Sequence, residues 1–477
     1  MRFSVQVIAQ DEGDGTEPTG IEVLAIERVE LSAGTVGLKL EEAKAMLAAV
    51  QRTIVERQVG SAIAARACCP DCGRRHRHKD MRAITLRSLF GTLHLQSPRW
   101  WRCGCHPAPG RTFQPLAELL TERAMPELTF LETRFAGLAS YGITARLLGE
   151  LLPLGRKVHA ETVRRAVHAV AGRLEDELGE ERLSFIDTCQ YDRGQLPHPE
   201  LPIVVGLDGG YIHSSRQTSR TDGWFEAIAG KVMPDSGKAT CFAYVQSYDT
   251  KPKRRVFEAL NAQGMAANQP VTFLSDGGED IRYIPTFINA QAEHLLDWFH
   301  ITMRITVMAN MAKSLKPRPP HPEGPDDEPP VDLAADVATE LTRLKWFLWH
   351  GNVYRALDTI ETIIFDLDDE HPPPQQARLL KAVQEFHTYI QSNTNRIPNY
   401  GERYRSGEAI STAPAESAVN QIIAKRMVKK QQMRWTPEGA HLLLQIRTHI
   451  LNDQLANDFH RWYPGLTDTE NSVELAA

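Results

Sequence analysis

From Pro202 onward the apolar runs of this chain come in an order that few folds accept. "PIVVGLD", "WFEAIAGKVMP" and "TCFAYVQSY" are separated only by turn residues, so three strands meander before any helix intervenes. The helix "KRRVFEALNAQGM" then leads to the strand "VTFLSD", a short helical piece, the strand-to-helix run "EHLLDWFH" and a longer helix. A dinucleotide-binding wind would alternate from its first strand and carry Gly-x-Gly-x-x-Gly after it, and this run does neither. Three meandering strands ahead of two crossovers predict a mixed sheet.

That order fits an RNase H-like mixed-sheet core, and at 477 residues the chain has room for further domains. The expected class is multidomain α/β. Residues 1–60 read as a small α/β segment and 61–114 as a Cys-rich basic module. Residues 115–185 are mostly helical, 200–315 hold the first part of the core, and 401–477 its last part. Between them, 316–400 begin with the Pro-rich, acidic linker "KPRPPHPEGPDDEPP" and continue as a helical insertion. In "YGITARLLGELLPLGRKVHAETVRRAVHAVAGRLEDEL" the apolar residues recur at helical spacing on both sides of a break at Pro153 to Lys157. The outline is helix-turn-helix-like, with a second helix beginning near Ala160 and carrying Arg164 and Arg165 toward DNA.

Cys69-x2-Cys72 in "CCPDCGRRHRHKD" and Cys103 with Cys105 in "RWWRCGCHP" form two close pairs about 30 residues apart. The alternating stretch "ITLRSLFGTLHLQSP" between them predicts a hairpin, and the whole predicts a zinc ribbon with a structural Zn²⁺. The second pair has one intervening residue, so His106 competes with Cys105 for the fourth position, and Cys68 competes with Cys69. Cys189 and Cys241 stand alone and read as ordinary buried thiols.

The net charge of −6 hides an asymmetry. Residues 61–112 carry ten Lys/Arg against Asp71 and Asp80, a local balance of +8. Such a block, with Arg74, Arg75 and Arg77 at its centre, suits a phosphate backbone. The opening "MRFSVQVIAQDEGDG" carries no apolar signal core, and no run approaches the roughly 20 residues that span a bilayer. The expectation is a cytoplasmic, nucleoid-associated protein without membrane partners.

Asp208, at the expected end of the first core strand, and Asp276, at the end of "VTFLSD", are each followed by glycines. Either alone is an ordinary turn. Phosphodiester chemistry, however, needs paired carboxylates to hold two hard divalent cations, Mg²⁺ or Mn²⁺. A third acid, Glu416 in "STAPAESAVNQIIAKR", lies one turn into a helix that begins after Pro414. Lys425, Arg426, Lys429, Lys430 and Arg434 follow it and would face a phosphate backbone.

With "GLDGGYI", "LSDGGED", "LLDWFHI" and "AESAVNQIIAKRM" ending in "MRW", the chain resembles bacterial insertion-sequence transposases with an Asp-Asp-Glu core. The ISKra group and its mutator-like relatives are the nearest in pattern. The resemblance implies that Asp208, Asp276 and Glu416 bind two Mg²⁺ ions and catalyse strand cleavage and joining. It also implies that the zinc ribbon and helical segment bind terminal inverted repeats, and that the working complex is a homo-oligomer. "DWFH" matches the family's (C/D)-x-x-H motif, so Asp297 and His300 are expected to support the site, with Asp297 the rival of Asp276 as second acid. The Cys-x-Cys pair and the long linker depart from the pattern. A non-catalytic zinc-dependent DNA-binding regulator is the alternative from another class, and an RNA-acting nuclease a third.

Overall fold

The computed structural model describes residues 1–9, 19–105, 111–155, 157–182, 185, 195, 202–215, 223–234, 237–278, 283–289, 292–317, 330, 332–411, 417–428 and 433–466. The chain is mixed α/β and divides into two compact units. One holds Met1–Ala171 with Asp453–Ala477, and the other Gly172–Asn452.

In the first unit, β1 (Arg2–Ala9) and β2 (Thr19–Glu27) form an antiparallel ribbon ahead of the long helix α1 (Leu40–Ala65). Next come β3 (Arg77–Ser88), β4 (Gly91–Trp101) and the short β5 (Thr112–Phe113), joined in that order into an antiparallel sheet. Alternation decides its buried face. Ile84 and Leu86 on β3, with Leu93 and Leu95 on β4, pack against Val55 of α1 and Leu116 of α2 (Pro115–Leu119). The expected hairpin between the cysteine pairs is therefore present. Helices α3 (Pro126–Leu138), α4 (Tyr141–Leu151) and α5 (Ala160–Glu177) follow, the last turns of α5 from Gly172 belonging to the second unit. Ser140 starts α4 by accepting the Ile143 N–H, and α5 begins at the expected Ala160.

The second unit is built on a five-stranded sheet. β6 (Ile203–His213), β7 (Trp224–Met233) and β8 (Thr240–Val245) are an antiparallel meander. Helix α6 (Pro252–Asn261) carries the chain to β9 (Val271–Ser275), parallel to β6. The short α7 (Ile284–Ile288) precedes β10 (Glu293–Leu296), parallel to β9. The order across the sheet is β10-β9-β6-β7-β8. On β6 the odd positions Ile203, Val205 and Leu207 face α6 through Val256 and Leu260.

Helices α8 (Trp298–Ala312), α9 (Leu333–Trp349), α10 (Val353–Leu367) and α11 (Pro374–Ser392) then share one apolar core that includes Ile301, Leu344, Ile360 and Phe386. After α12 (Tyr400–Arg405), Asn420–Val428 winds as a π-helix and α13 (Pro437–Leu451) packs on β8. Most of the Pro-rich linker lies outside the described residues.

Two expectations need correction. The last part of the chain is not all core: α14 (Leu455–Trp462) belongs to the first unit, where Phe459 packs edge-on against Phe130 of α3. Asp208 is not at a strand end either. Gly209 and Gly210 stay extended, so β6 continues pairing with β7 as far as His213. What ends near Asp208 is the parallel pairing with β9, whose last matched pair is Gly206 with Leu274.

Candidate functional site

The first cysteine pair sits on a tight turn. Cys69 N–H donates to the Arg74 carbonyl, Gly73 N–H donates to the Cys69 carbonyl, and Gly73 takes φ +68°, open to glycine at no cost. The second pair follows β4. Cys69 and Cys105 sulfurs lie 3.5 Å apart, Cys72 and Cys103 3.5 Å, and Cys103 and Cys105 3.2 Å. All four lie within 4.8 Å of one another. A tetrahedral ion with Zn–S bonds of about 2.3 Å spaces its sulfurs by roughly 3.8 Å, so the thiols fit such an ion. The Cys105 N–H and the neighbouring thiols pull Cys103 down to about 7, while Cys103 beside it pushes Cys105 up. A divalent cation binds the thiolate forms, so loading this cluster would release the thiol protons. Cys69 is the buried member of its pair, whereas Cys68 is exposed and lies outside the cluster. His106 lies outside the described residues, as does Cys189.

The charge around this cluster is less free than the +8 balance implies. Arg99 is held by Asp80, Arg102 by Glu118 and Arg87 by the buried Glu132, two of these acids lying beyond the counted block. Arg74, Arg75 and Arg77 remain exposed, and Lys79 lies 4.6 Å over the Trp101 ring. On α5, Arg164 and Arg165 both bond Glu161, which they hold down to about 2.

In the second unit the strand register matters most. β6 and β9 pair with a constant offset of 68, and β9 and β10 with one of 21. Continued past the last matched pairs, Gly206 with Leu274 and Leu296 with Ser275, these offsets would bring Asp208, Asp276 and Asp297 level, and strand alternation would give them a common face. Their surroundings differ. The Gly209 N–H donates to Asp208 Oδ1 at 2.8 Å. Asp276 accepts from the Gly278 N–H at 3.1 Å and stays half-buried. Asp297 is fully buried and caps α8 by accepting the Phe299 N–H. Its Oδ1 is thus engaged at the helix start, as Asp276 Oδ1 is engaged by the Gly278 N–H. His300 Nε2 stands 3.8 Å from Asp297 Oδ2, beyond hydrogen-bond reach.

The insertion is seated beside this edge. Gly277 takes φ +82°, and a Cβ there would come within 2.6 Å of Asn393 Oδ1. Ser275 Oγ accepts the Gly277 N–H and contacts His294 Nε2 at 2.7 Å. Arg396 donates to His294 Nδ1, so Nε2 carries the proton and donates to Ser275. On the Asp208 face, Val419 and Ile423 close over Gly210, where any Cβ would meet them at 3.1–3.2 Å.

Glu416, Lys429 and Lys430 lie outside the described residues. Lys425 and Arg434 are exposed as expected. Arg426 is not: it is fully buried, with its guanidinium 5.3 Å over the Trp435 ring. It lies among Ile422, Ile423 and Met427, the inward side of the π-helix.

A scan of protein-family models and a search of curated proteins return no match.

Sequence reasoning missed a second cluster. Glu175, Asp249 and His441 offer three ligand atoms within 4.8 Å. Arg255, however, lies among them, 3.0 Å from Asp249 Oδ2 and 3.0 Å from Glu175, with Nη1 donating to Gln445 Oε1 at 2.6 Å. His441 Nδ1 accepts the Val245 N–H, so Nε2 carries the proton and faces Glu175 at 3.3 Å. Burial by itself would raise the Glu175 carboxyl, but the His441 hydrogen bond and the Arg255 charge outweigh it and hold it at about 2. The guanidinium already supplies the positive charge a metal would bring, so these groups fit a structural network better than a metal site. Only the spacing of His441 and Gln445, one turn apart on α13, was visible in the sequence.

Proposed function

We propose that the chain is a DNA transposase of the Asp-Asp-Glu kind. It would cleave phosphodiesters at insertion-sequence ends and join the freed 3′ ends to target DNA. What supports this reading is the β10-β9-β6-β7-β8 strand order together with the constant β6–β9 offset of 68, which, continued two residues past the last matched pair of Gly206 with Leu274, would bring Asp208 level with Asp276. That strand order, an antiparallel meander followed by two parallel strands, is the reason to read the core as RNase H-like. Val419 and Ile423, which follow Glu416 closely in sequence, pack over Gly210, and this supports the choice of Glu416 as third acid.

Asp208, Asp276 and Glu416 offer carboxylate oxygens, the hard donors that Mg²⁺ and Mn²⁺ take. Two such ions would activate water and steady the leaving oxygen. The chain's own part would be to hold Asp208 and Asp276 on neighbouring strands, with Asp297, which starts α8, and His300 supporting the site. The four cysteines would hold a structural Zn²⁺ in a zinc ribbon, with Arg74, Arg75 and Arg77 against the DNA backbone and α4–α5 presented as a helix-turn-helix. Synapsis of two ends requires at least two copies of the chain.

The alternative is a zinc-dependent DNA-binding regulator, supported by the four-cysteine cluster and the exposed Arg74, Arg75 and Arg77 beside it. A supercoiled-plasmid nicking assay with Mg²⁺, Mn²⁺ or EDTA separates the two. Metal-dependent nicking is expected, lost in Asp208→Asn while binding to DNA persists. Nicking retained by the pure variant would remove Asp208 from the mechanism, and no nicking by the parent chain would favour the regulator.

A further inference from the structure

A cavity of about 400 Å³ lies in the first unit between the β3–β4 turn, α3 and the start of α5. Its volume falls within the range of about 300–1,000 Å³ typical of small-molecule sites. Glu132 lines it and is fully buried. Oε1 of this carboxylate accepts from Arg87 Nη1 at 3.1 Å, while the buried Oε2 has no hydrogen-bond partner among the described residues. A polar oxygen left without a partner in the interior is costly, so a donor brought by a ligand would be favourable here.

The rest of the lining has the opposite character. Lys157, His159 and Arg165 gather around the first turn of α5, with the Thr162 hydroxyl beside them. Arg165 shares its charge with Glu161, but Lys157 is exposed. An 18-residue helix presents the positive end of its dipole at this place, and cations reinforce it. A ligand that satisfies both ends carries an anion at one extremity and a hydrogen-bond-donating group at the other.

We infer that this cavity binds one nucleotide unit, its phosphate at Lys157, His159 and the α5 start, and the amino edge of its base on Glu132. Glutamate accepts well from an exocyclic amino group such as that of cytosine, which makes an amino-bearing base preferred over thymine. Either a free nucleotide or the terminal nucleotide of a DNA strand supplies this chemistry. The site uses no acid of the second unit and no divalent ion, so it stands or falls apart from the cleavage proposal.

Isothermal titration of the full chain, without added Mg²⁺, tests it with dCMP, dTMP and inorganic phosphate. One equivalent of dCMP should bind, with dTMP at least about tenfold weaker, the value of one charge-assisted hydrogen bond. Phosphate alone should bind more weakly than either. Lys157→Ala, an exposed change that leaves the fold intact, should weaken both nucleotides alike. Glu132→Gln should erase the preference, because an amide donates to thymine as readily as it accepts from cytosine. Displacement of bound dCMP by a duplex with one unpaired 3′ cytidine, but not by a blunt duplex, assigns the source to a DNA end; displacement by neither assigns it to free nucleotide. The inference is overturned if no nucleotide binds, if dTMP or phosphate matches dCMP, or if Lys157→Ala changes nothing.

Discussion

Replacing Arg255 by Met tests how the second unit holds its core. The guanidinium lies between Asp249, whose side chain is 2% exposed, and Glu175, at 20%. Its contacts are charge-assisted bonds to both carboxylates and one bond to Gln445. Methionine fills similar space but leaves two neighbouring carboxylates without their cation. Removing one partner of a buried ion pair costs about 3–5 kcal/mol, because the remaining charge stays desolvated. For a unit of this size that corresponds to a loss of roughly 10 °C in melting temperature. The same substitution should turn the cluster into a metal site, since Glu175, Asp249 and His441 already lie within 4.8 Å of one another. Added Zn²⁺ at about 100 times its Kd should restore about 2.7 kcal/mol. Differential scanning calorimetry with and without Zn²⁺ measures both effects. A variant that melts within about 2 °C of the parent refutes the argument, as does a parent chain that takes up zinc at these three residues.

Further expectations follow from other parts of the molecule. Cys72→Ser should lower the zinc content from about one ion per chain to none, read by elemental analysis, and abolish protection of the 69–105 segment from proteolysis. Gly277→Ala should destabilise by about 2–5 kcal/mol, combining about 1–2 for the left-handed backbone with about 1–3 for the clash with Asn393 and Leu296; hydrogen exchange should show the 275–278 loop and the end of α11 loosening first. Glu175 is held at about 2 against an unfolded value of 4.5, so its contribution is complete above pH 4.5 and is lost as pH falls toward 2. Glu175→Gln should flatten acid unfolding across that window. Glu132, raised by burial, works in reverse, its contribution fading as pH rises through its folded value.

Much of this architecture was legible without coordinates because it depends on local rules. The turn at Cys69–Gly73, the alternation of Ile84, Leu86, Leu93 and Leu95, the break before Ala160 and the succession of strands from Ile203 to Leu296 follow from backbone preferences and from side-chain periods of two and 3.6. Register and packing fixed the rest. The offset of 68 between β6 and β9, on which the alignment of Asp208 with Asp276 depends, is contained in no local run. Arg426 carries the same charge as Lys425 one position earlier, yet one step around the helix moved it from solvent to the face of Trp435. Arg255 met Asp249, Glu175 and His441 only because α5, α6, β8 and α13 converge, and α14 found its place through the fit of Phe459 against Phe130. A sequence sets the elements and their order through short-range sterics; which charges meet across 80 or 190 positions is settled when those elements dock and water leaves.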